Sequence, residues 1–208
     1  MHPDPEETAR ERLAYLRRIG VVAPPVRTRE SSLLPEEPMP LSSDDLLARL
    51  RERGIAYALH EHPPVLTVEA MMAACGGIAG AHTKNLFLRD GKKSYFLVTL
   101  RHDAGVDLKA FRSVLGARGG LSFASAEALR EQLGVESGAV SALAALNAAP
   151  GSVKVFLQDS LLDAVRINVH PMVNTRTLTL APGDLVAALR DAGHEVTPFA
   201  LPEARADA

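Results

Sequence analysis

Residues 80–100 read GAHTKNLFLRDGKKSYFLVTL. Two apolar runs, 85–88 and 94–100, flank Arg89-Asp90-Gly91-Lys92. Asp-Gly between such runs marks a β-hairpin, because a tight turn between twisted strands needs residues that accept positive φ. On its N-terminal side, Ser42 or Ser43 caps a helix through 53, with Leu46, Leu47 and Leu50 on its apolar face and Gly54 as its stop. A strand is expected at 55–60 and a helix at 67–75. On the C-terminal side, helices are expected at 107–115, 125–133 and 182–192, each followed by a glycine (Gly116, Gly134, Gly193). A further helical turn is expected at 141–146. Strands are expected at 121–123, 153–157, 165–169, 177–180 and 195–199. Hairpin and helical connections alternate irregularly. The fold class is therefore α/β (α+β), a mixed sheet flanked by helices rather than a strict parallel βαβ series.

Seven of the 14 prolines lie in the first 40 residues. Residues 21–40 are too proline-rich for a regular element. Before them, 5–19 reads as a short helix, with Asp4 as cap, Pro5 in its first turn and Gly20 as its stop. The expected organisation is an N-terminal helix and linker over 1–40, then one domain over 41–208.

Composition narrows the function. Apolar residues make up 47% and charged residues 23%, with a net charge of −2, which excludes a disordered chain and a generally basic nucleic-acid coat. Residues 84–118 are different: eight bases stand against three acids, a local basic face in an acidic chain. No apolar run is long enough to span a bilayer, and the N-terminus lacks a basic-then-apolar leader. The expectation is a cytoplasmic protein without membrane partners. The single cysteine, Cys75, excludes an internal disulfide and a Cys-pair zinc site. His60 and His62 have no third ligand near them in sequence. No metal and no cofactor is expected.

Three segments can carry chemistry. Thr83-Lys84-Asn85 stands at the mouth of the first hairpin strand. It is either a solvated strand end or a place where a lysine holds phosphate and an amide holds a sugar or carbonyl oxygen. Gly134 to Ala142 is a small-residue loop. It is either an ordinary connection or a source of free backbone amides for an oxyanion. His170-Pro171 ends a strand, with Asn174 in the following turn. His170 is either a satisfied turn histidine or a site residue.

Taken in order, His62-Pro63-Pro64-Val65, Thr83-Lys84-Asn85-Leu86-Phe87-Leu88, Leu133-Gly134-Val135 with Gly138-Ala139-Val140-Ser141, and His170-Pro171 with Asn174 and Thr177 resemble the YbaK/prolyl-tRNA-synthetase-associated editing family. The likeness is to its free-standing branch of Ala-tRNA(Pro) deacylases and covers about 44–200. It implies a curved, partly closed mixed sheet ringed by helices, and hydrolysis of the ester of mischarged Ala-tRNA(Pro). It also implies the acceptor end of tRNA(Pro) as ligand, with prolyl-tRNA synthetase as a further partner. By this resemblance Lys84, Asn85, Gly138 and His170 are catalytic, and Thr83, Ala139, Val140, Ser141 and Asn174 bind substrate. Lys84 would hold the terminal nucleotide's phosphate, and Asn85 the same nucleotide or the aminoacyl group. Amides from Gly138 onward would face the ester carbonyl, and His170 would stand near the aminoacyl end. The family uses the ribose 2′-hydroxyl to help activate water, so no side-chain nucleophile or metal is required. Many relatives carry G-S-V-x-P-F where this chain has Gly138-Ala139-Val140-Ser141-Ala142-Leu143, so the resemblance leaves the amino-acid preference open. Two alternatives stand beside it: deacylation of Cys-tRNA(Pro) or another aminoacyl-tRNA on the same fold, and a non-catalytic module that binds aminoacyl-tRNA or a synthetase.

Overall fold

The computed structural model describes residues 39–201. The expected helix at 5–19 and most of the proline-rich linker lie outside them. The hairpin organises the rest. Strand β2 (Ala81–Asp90) pairs antiparallel with β3 (Tyr95–Arg101), setting Asn85 opposite Thr99 and Leu88 opposite Phe96. Asp90 locks the turn. Its Oδ1 accepts from the amides of Lys92 and Ser94, and its Oδ2 from the amide of Arg118. These bonds favour the ionised carboxylate, Arg118 most, and hold its pKa below the ordinary value.

The remaining strands are β1 (Tyr57–Glu61), β4 (Leu121–Phe123), β5 (Val153–Gln158), β6 (Ile167–Val169), β7 (Arg176–Leu180) and β8 (Val196–Phe199). The sheet has eight strands in the order β1-β7-β6-β2-β3-β5-β8, with β4 set beside β2. Pairing is parallel for β2–β6, β3–β5 and β5–β8, and antiparallel elsewhere. The mixed sheet is as expected. The partial closure implied by the resemblance is not found: β1 pairs only with β7 and β8 only with β5, so the strand path runs open.

Among the described residues six helices flank it: α1 (Ser43–Glu52), α2 (Val68–Cys75), α3 (Leu108–Val114), α4 (Ala126–Leu133), α5 (Asp159–Leu162) and α6 (Pro182–Asp191). Ser42 caps α1 in a reciprocal box with Asp45, and Thr67, Asp107 and Ser125 cap α2, α3 and α4. The turn expected at 141–146 is a 3₁₀ helix, Ala142–Asn147. Only α5 is absent from the sequence reading, and its single turn is too short to leave a periodic pattern.

Both faces of the hairpin are covered. Phe87 and Leu97 enter a large core with α1, α4, α6 and the 3₁₀ helix. Leu86, Leu88, Phe96, Val98 and Leu100 enter a second core with Phe111, Leu115, Phe156 and Phe199. Burial on two faces explains why these strands read as unbroken apolar runs rather than alternating ones. Each fully buried Leu or Phe contributes about 1.5–3 kcal/mol.

Asp90→Ala should lower the melting temperature at pH 7 by several degrees through loss of the hairpin lock. The carboxylate's pKa is depressed in the folded state, so its contribution is complete above the ordinary value of 3.8 and fades as pH falls through the folded value. Thermal melts of both proteins over a pH series should therefore converge only below about 3.8. A constant difference down to pH 3 would assign the loss to packing instead.

Candidate active site

The site opens where β2 changes partners. Ala81 and His82 pair with β6, and Leu88, Arg89 and Asp90 with β4. The strand edge between them has no strand neighbour on that side. Lys84 and Asn85 point to opposite faces of β2, as successive strand residues must. Both line a cleft of about 220 Å³, because it opens at that free edge. The strand begins at Ala81, so Lys84 stands within it rather than at its mouth. A polar start hid this part of the strand. The ring of His82 is buried, and Asn168 on β6 donates through Nδ2 towards His82 Nε2 at 3.4 Å. The Asn168 main-chain carbonyl accepts from the Thr83 hydroxyl at 2.7 Å, and its side-chain oxygen from Thr179 at 2.6 Å.

Four groups meet at the cleft. Lys84 Nζ donates to the Ala104 carbonyl on the β3–α3 loop. Asn85 Oδ1 accepts from the Thr99 hydroxyl at 2.7 Å. Gly138 sits at φ +89°, and a Cβ there would come within 3.0 Å of Leu66 Cδ2, so only glycine fits. His170 Nδ1 lies 2.8 Å from the Arg176 carbonyl. A carbonyl only accepts, so the proton is on Nδ1, and the neutral ring keeps a lone pair on Nε2. Burial lowers the His170 pKa below the free imidazole value. The Arg176 carbonyl opposes that shift, and the neighbouring His62, 6.1 Å away between ring centres, adds to it. His62 is locally bonded, with Nδ1 on the Pro63 carbonyl and Nε2 on the Thr177 hydroxyl.

The remaining walls are apolar. Val65, Leu66, Val68 and Met71 come from the segment leading into α2 and from α2 itself. Backbone bonds from His62 to Thr175 and from Val65 to Asn174 tie that segment to the β6–β7 turn. Leu66 is 72% exposed yet lies against Gly138. Sequence reasoning missed Leu66 and Met71 in this wall, because nothing local separates them from core side chains.

The other expected residues divide. Thr83 and Val140 line the cleft, but the Thr83 hydroxyl proton is already given to Asn168. Asn174 packs its amide near Gly138 without lining the cleft. Ala139 is buried in the large core, and its amide donates to Glu136. Ser141 is fully buried and caps the 3₁₀ helix through Leu143. Ala139 and Ser141 therefore support the loop from behind and do not face a ligand. Among the described residues, the amides of Gly138 and Val140 have no hydrogen-bond partner. Of the basic stretch, Lys109 and Arg112 line a second, shallow concavity on α3. No three His, Cys, Asp or Glu among the described residues converge to hold a metal. No helix among them is long and apolar enough to cross a membrane.

A strand-edge cleft that offers a lysine, a carboxamide, free amides and a neutral imidazole, with no serine or cysteine in its lining, has the donors to hold a phosphate and an acyl carbonyl oxygen. The aminoacyl-tRNA editing domain model matches residues 62–188. A Bos taurus prolyl-tRNA synthetase associated domain-containing protein 1 is 38% identical over 163 residues, spanning 74% of this chain and 95% of the relative. The prolyl-tRNA editing protein ProX of Acetoanaerobium sticklandii is 35% identical over 150 residues, spanning 72% and 91%. Among solved structures, a candidate trans-editing enzyme for prolyl tRNA synthetase superposes with a TM-score of 0.60 at 23% identity, over 79% of this chain and 99% of that one. The chain belongs to the aminoacyl-tRNA editing domain family. Editing a charged tRNA means hydrolysing its ester, so the chain is an enzyme, an aminoacyl-tRNA deacylase.

Because its pKa is depressed, His170 should stay neutral until the pH falls below 6.5. NMR titration of its Cε1 proton should give a midpoint below that value, whereas a midpoint at or above 6.5 would contradict burial as the dominant influence on the ring.

Proposed function

We propose that the chain is a trans-editing enzyme that hydrolyses Ala-tRNA(Pro) at the acceptor end. The observation that carries this reading is the meeting of Lys84, Asn85, Gly138 and His170 on one small cleft with apolar walls. The relatives' names, which speak of prolyl-tRNA and its synthetase, support the choice of tRNA. A synthetase pocket for proline cannot strongly reject a smaller side chain, since one methylene is worth only about 1–3 kcal/mol, so a second sieve is needed.

In this mechanism Lys84 exchanges its bond to the Ala104 carbonyl for a phosphate oxygen of the terminal nucleotide, a stronger, charge-assisted contact. The Asn85 amide group and the free amides of Gly138 and Val140 receive the ester carbonyl oxygen as water adds and negative charge grows on it. The lone pair on His170 Nε2 accepts from the substrate's α-ammonium, which only donates. Water attacks the carbonyl carbon with help from the ribose 2′-hydroxyl. The tetrahedral intermediate then collapses, breaking the ester bond to the ribose 3′-oxygen, which leaves with a proton. Free alanine and uncharged tRNA result.

Lys84→Ala should abolish most single-turnover deacylation while the melting curve stays near that of the wild type, because the side chain anchors a ligand and supports no core. A wild-type rate in the variant would remove Lys84 from the mechanism.

Selectivity follows from the small cleft between Leu66 and the Gly138 backbone, where an added Cβ would already come within 3.0 Å of Leu66. Alanine's methyl fits beside it, while proline's ring meets backbone. Hydrolysis of Ala-tRNA(Pro) should exceed that of Pro-tRNA(Pro) by at least about tenfold, roughly 1.4 kcal/mol in the barrier. Deacylation assays with Ala-, Pro-, Cys- and Ser-charged tRNA(Pro) test this. Equal rates on Ala and Pro would refute size exclusion, and a preference for Cys would replace alanine as the substrate.

A further inference from the structure

Thr99 does not line the cleft and belongs to none of the motifs above, yet it determines what the cleft offers. It stands on β3 directly opposite Asn85 on β2, at 0% exposure, with its hydroxyl 2.7 Å from Asn85 Oδ1. A buried hydroxyl that finds no acceptor costs about 1–3 kcal/mol. Among the described residues, Asn85 Oδ1 is the acceptor that the Thr99 proton reaches. If the carboxamide were turned over, its NH₂ would face Thr99 and the hydroxyl proton would have no acceptor. Its oxygen would then point towards the cleft. The two ends of a carboxamide point apart, so an oxygen held on Thr99 leaves Nδ2, a double donor, for the cleft that Asn85 lines.

We infer that Thr99 is a positioning residue that fixes the polarity of the Asn85 amide, so that the site presents a donor and not an acceptor. The difference matters for an ester. An NH₂ stabilises a carbonyl oxygen as it gains charge, whereas an amide oxygen in its place repels it. Thr99 also limits the rotation of the Asn85 side chain, so the donor is in place before substrate arrives.

The experiment compares Thr99→Val, which keeps the shape and removes the hydroxyl, with Thr99→Ser, which keeps the hydroxyl. Asn85→Ala and the Thr99→Val/Asn85→Ala double variant complete the cycle. Thr99→Val should slow single-turnover deacylation by at least about tenfold, with the loss in kcat rather than KM. Thr99→Ser should stay within about threefold of wild type, about half of one tenfold step on the free-energy scale. In the Asn85→Ala background Thr99→Val should change nothing, because its effect runs through Asn85. Independently of rate, the Asn85 side-chain NH₂ pair in a ¹⁵N spectrum is identified by its loss in Asn85→Ala. It should be well ordered in wild type and Thr99→Ser, and shifted and disordered in Thr99→Val. The rate measurement rests on the deacylase reading proposed above; the NH₂ measurement does not. A wild-type protein that releases no amino acid from any charged tRNA(Pro) would therefore overturn that reading while the spectrum still decides the role of Thr99. The inference is overturned by an unchanged NH₂ pair in Thr99→Val, by an unchanged rate, or by losses that multiply in the double variant.

Discussion

Strand β2 must be a central strand and an edge strand at once. Along Thr83–Arg89 it is bound to β3, and its start and end are held by β6 and β4. Between those two holds one edge is left open. Lys84, Asn85, Gly138 and His170 are arranged around that opening. A fully paired strand would commit its amides and carbonyls to neighbours and bury Lys84 and Asn85 under another strand. A fully free edge would be mobile and would invite pairing with other chains. The gap avoids both, because the hairpin on the other side, with Phe87 and Leu88 in two separate cores, keeps the backbone rigid.

The pieces that fill the gap are fixed by local physics rather than by the site itself. The β6–β7 turn carries His170 and Asn174, and takes Met172 through φ +61°, a strained conformation for a side-chain-bearing residue. Packing compensates: Met172 is buried, with its sulfur 3.6 Å from Asn147 Nδ2. Asn147 in turn donates to the Leu133 carbonyl and accepts from the Leu41 amide, joining the ends of α4 and α1 to the same spot. Gly134 is required beside it, since a Cβ there would lie 2.9 Å from Asn147 Nδ2 and 2.5 Å from Pro40. The loop that brings Gly138 to the cleft is therefore anchored at both ends by bonds far from any ligand.

Much of this was legible in the sequence, for identifiable reasons. The hairpin, the cap at Ser42 and the glycine stops are local signals. They can be read because each satisfies backbone groups within a few residues. Lys84, Asn85, Gly138 and His170 were legible only as separate motifs, and their convergence depends on strand order, which no local pattern encodes. Ala139 and Ser141 show the reverse failure. They sit in the right stretch of sequence, but alternate residues of a loop face opposite ways, and these two face the core. The wall formed by Leu66 and Met71 went unread because apolar side chains in a cleft and in a core look the same in sequence. Thr99 was unreadable for a deeper reason: its meaning lies wholly in its cross-strand partner.

That partner relation bears on how a site without a nucleophile can work. Two polar groups at the cleft are each set by a second bond: Asn85 by Thr99 and His170 by Arg176. Single hydrogen bonds contribute only about 0.5–1.5 kcal/mol to stability, too little to account for the fold. Their value is directional. A carboxamide offered the wrong way round, or an imidazole in the other tautomer, replaces a donor by an acceptor and turns an attraction into a repulsion of similar size. In the proposed mechanism water and substrate supply the reacting groups, and the protein's contribution is the fixed direction of its dipoles. That direction costs no reorganisation at the moment of reaction. The central strand pair is suited to hold it, because β2 and β3 are neighbours within the sheet and both of their faces are covered by core.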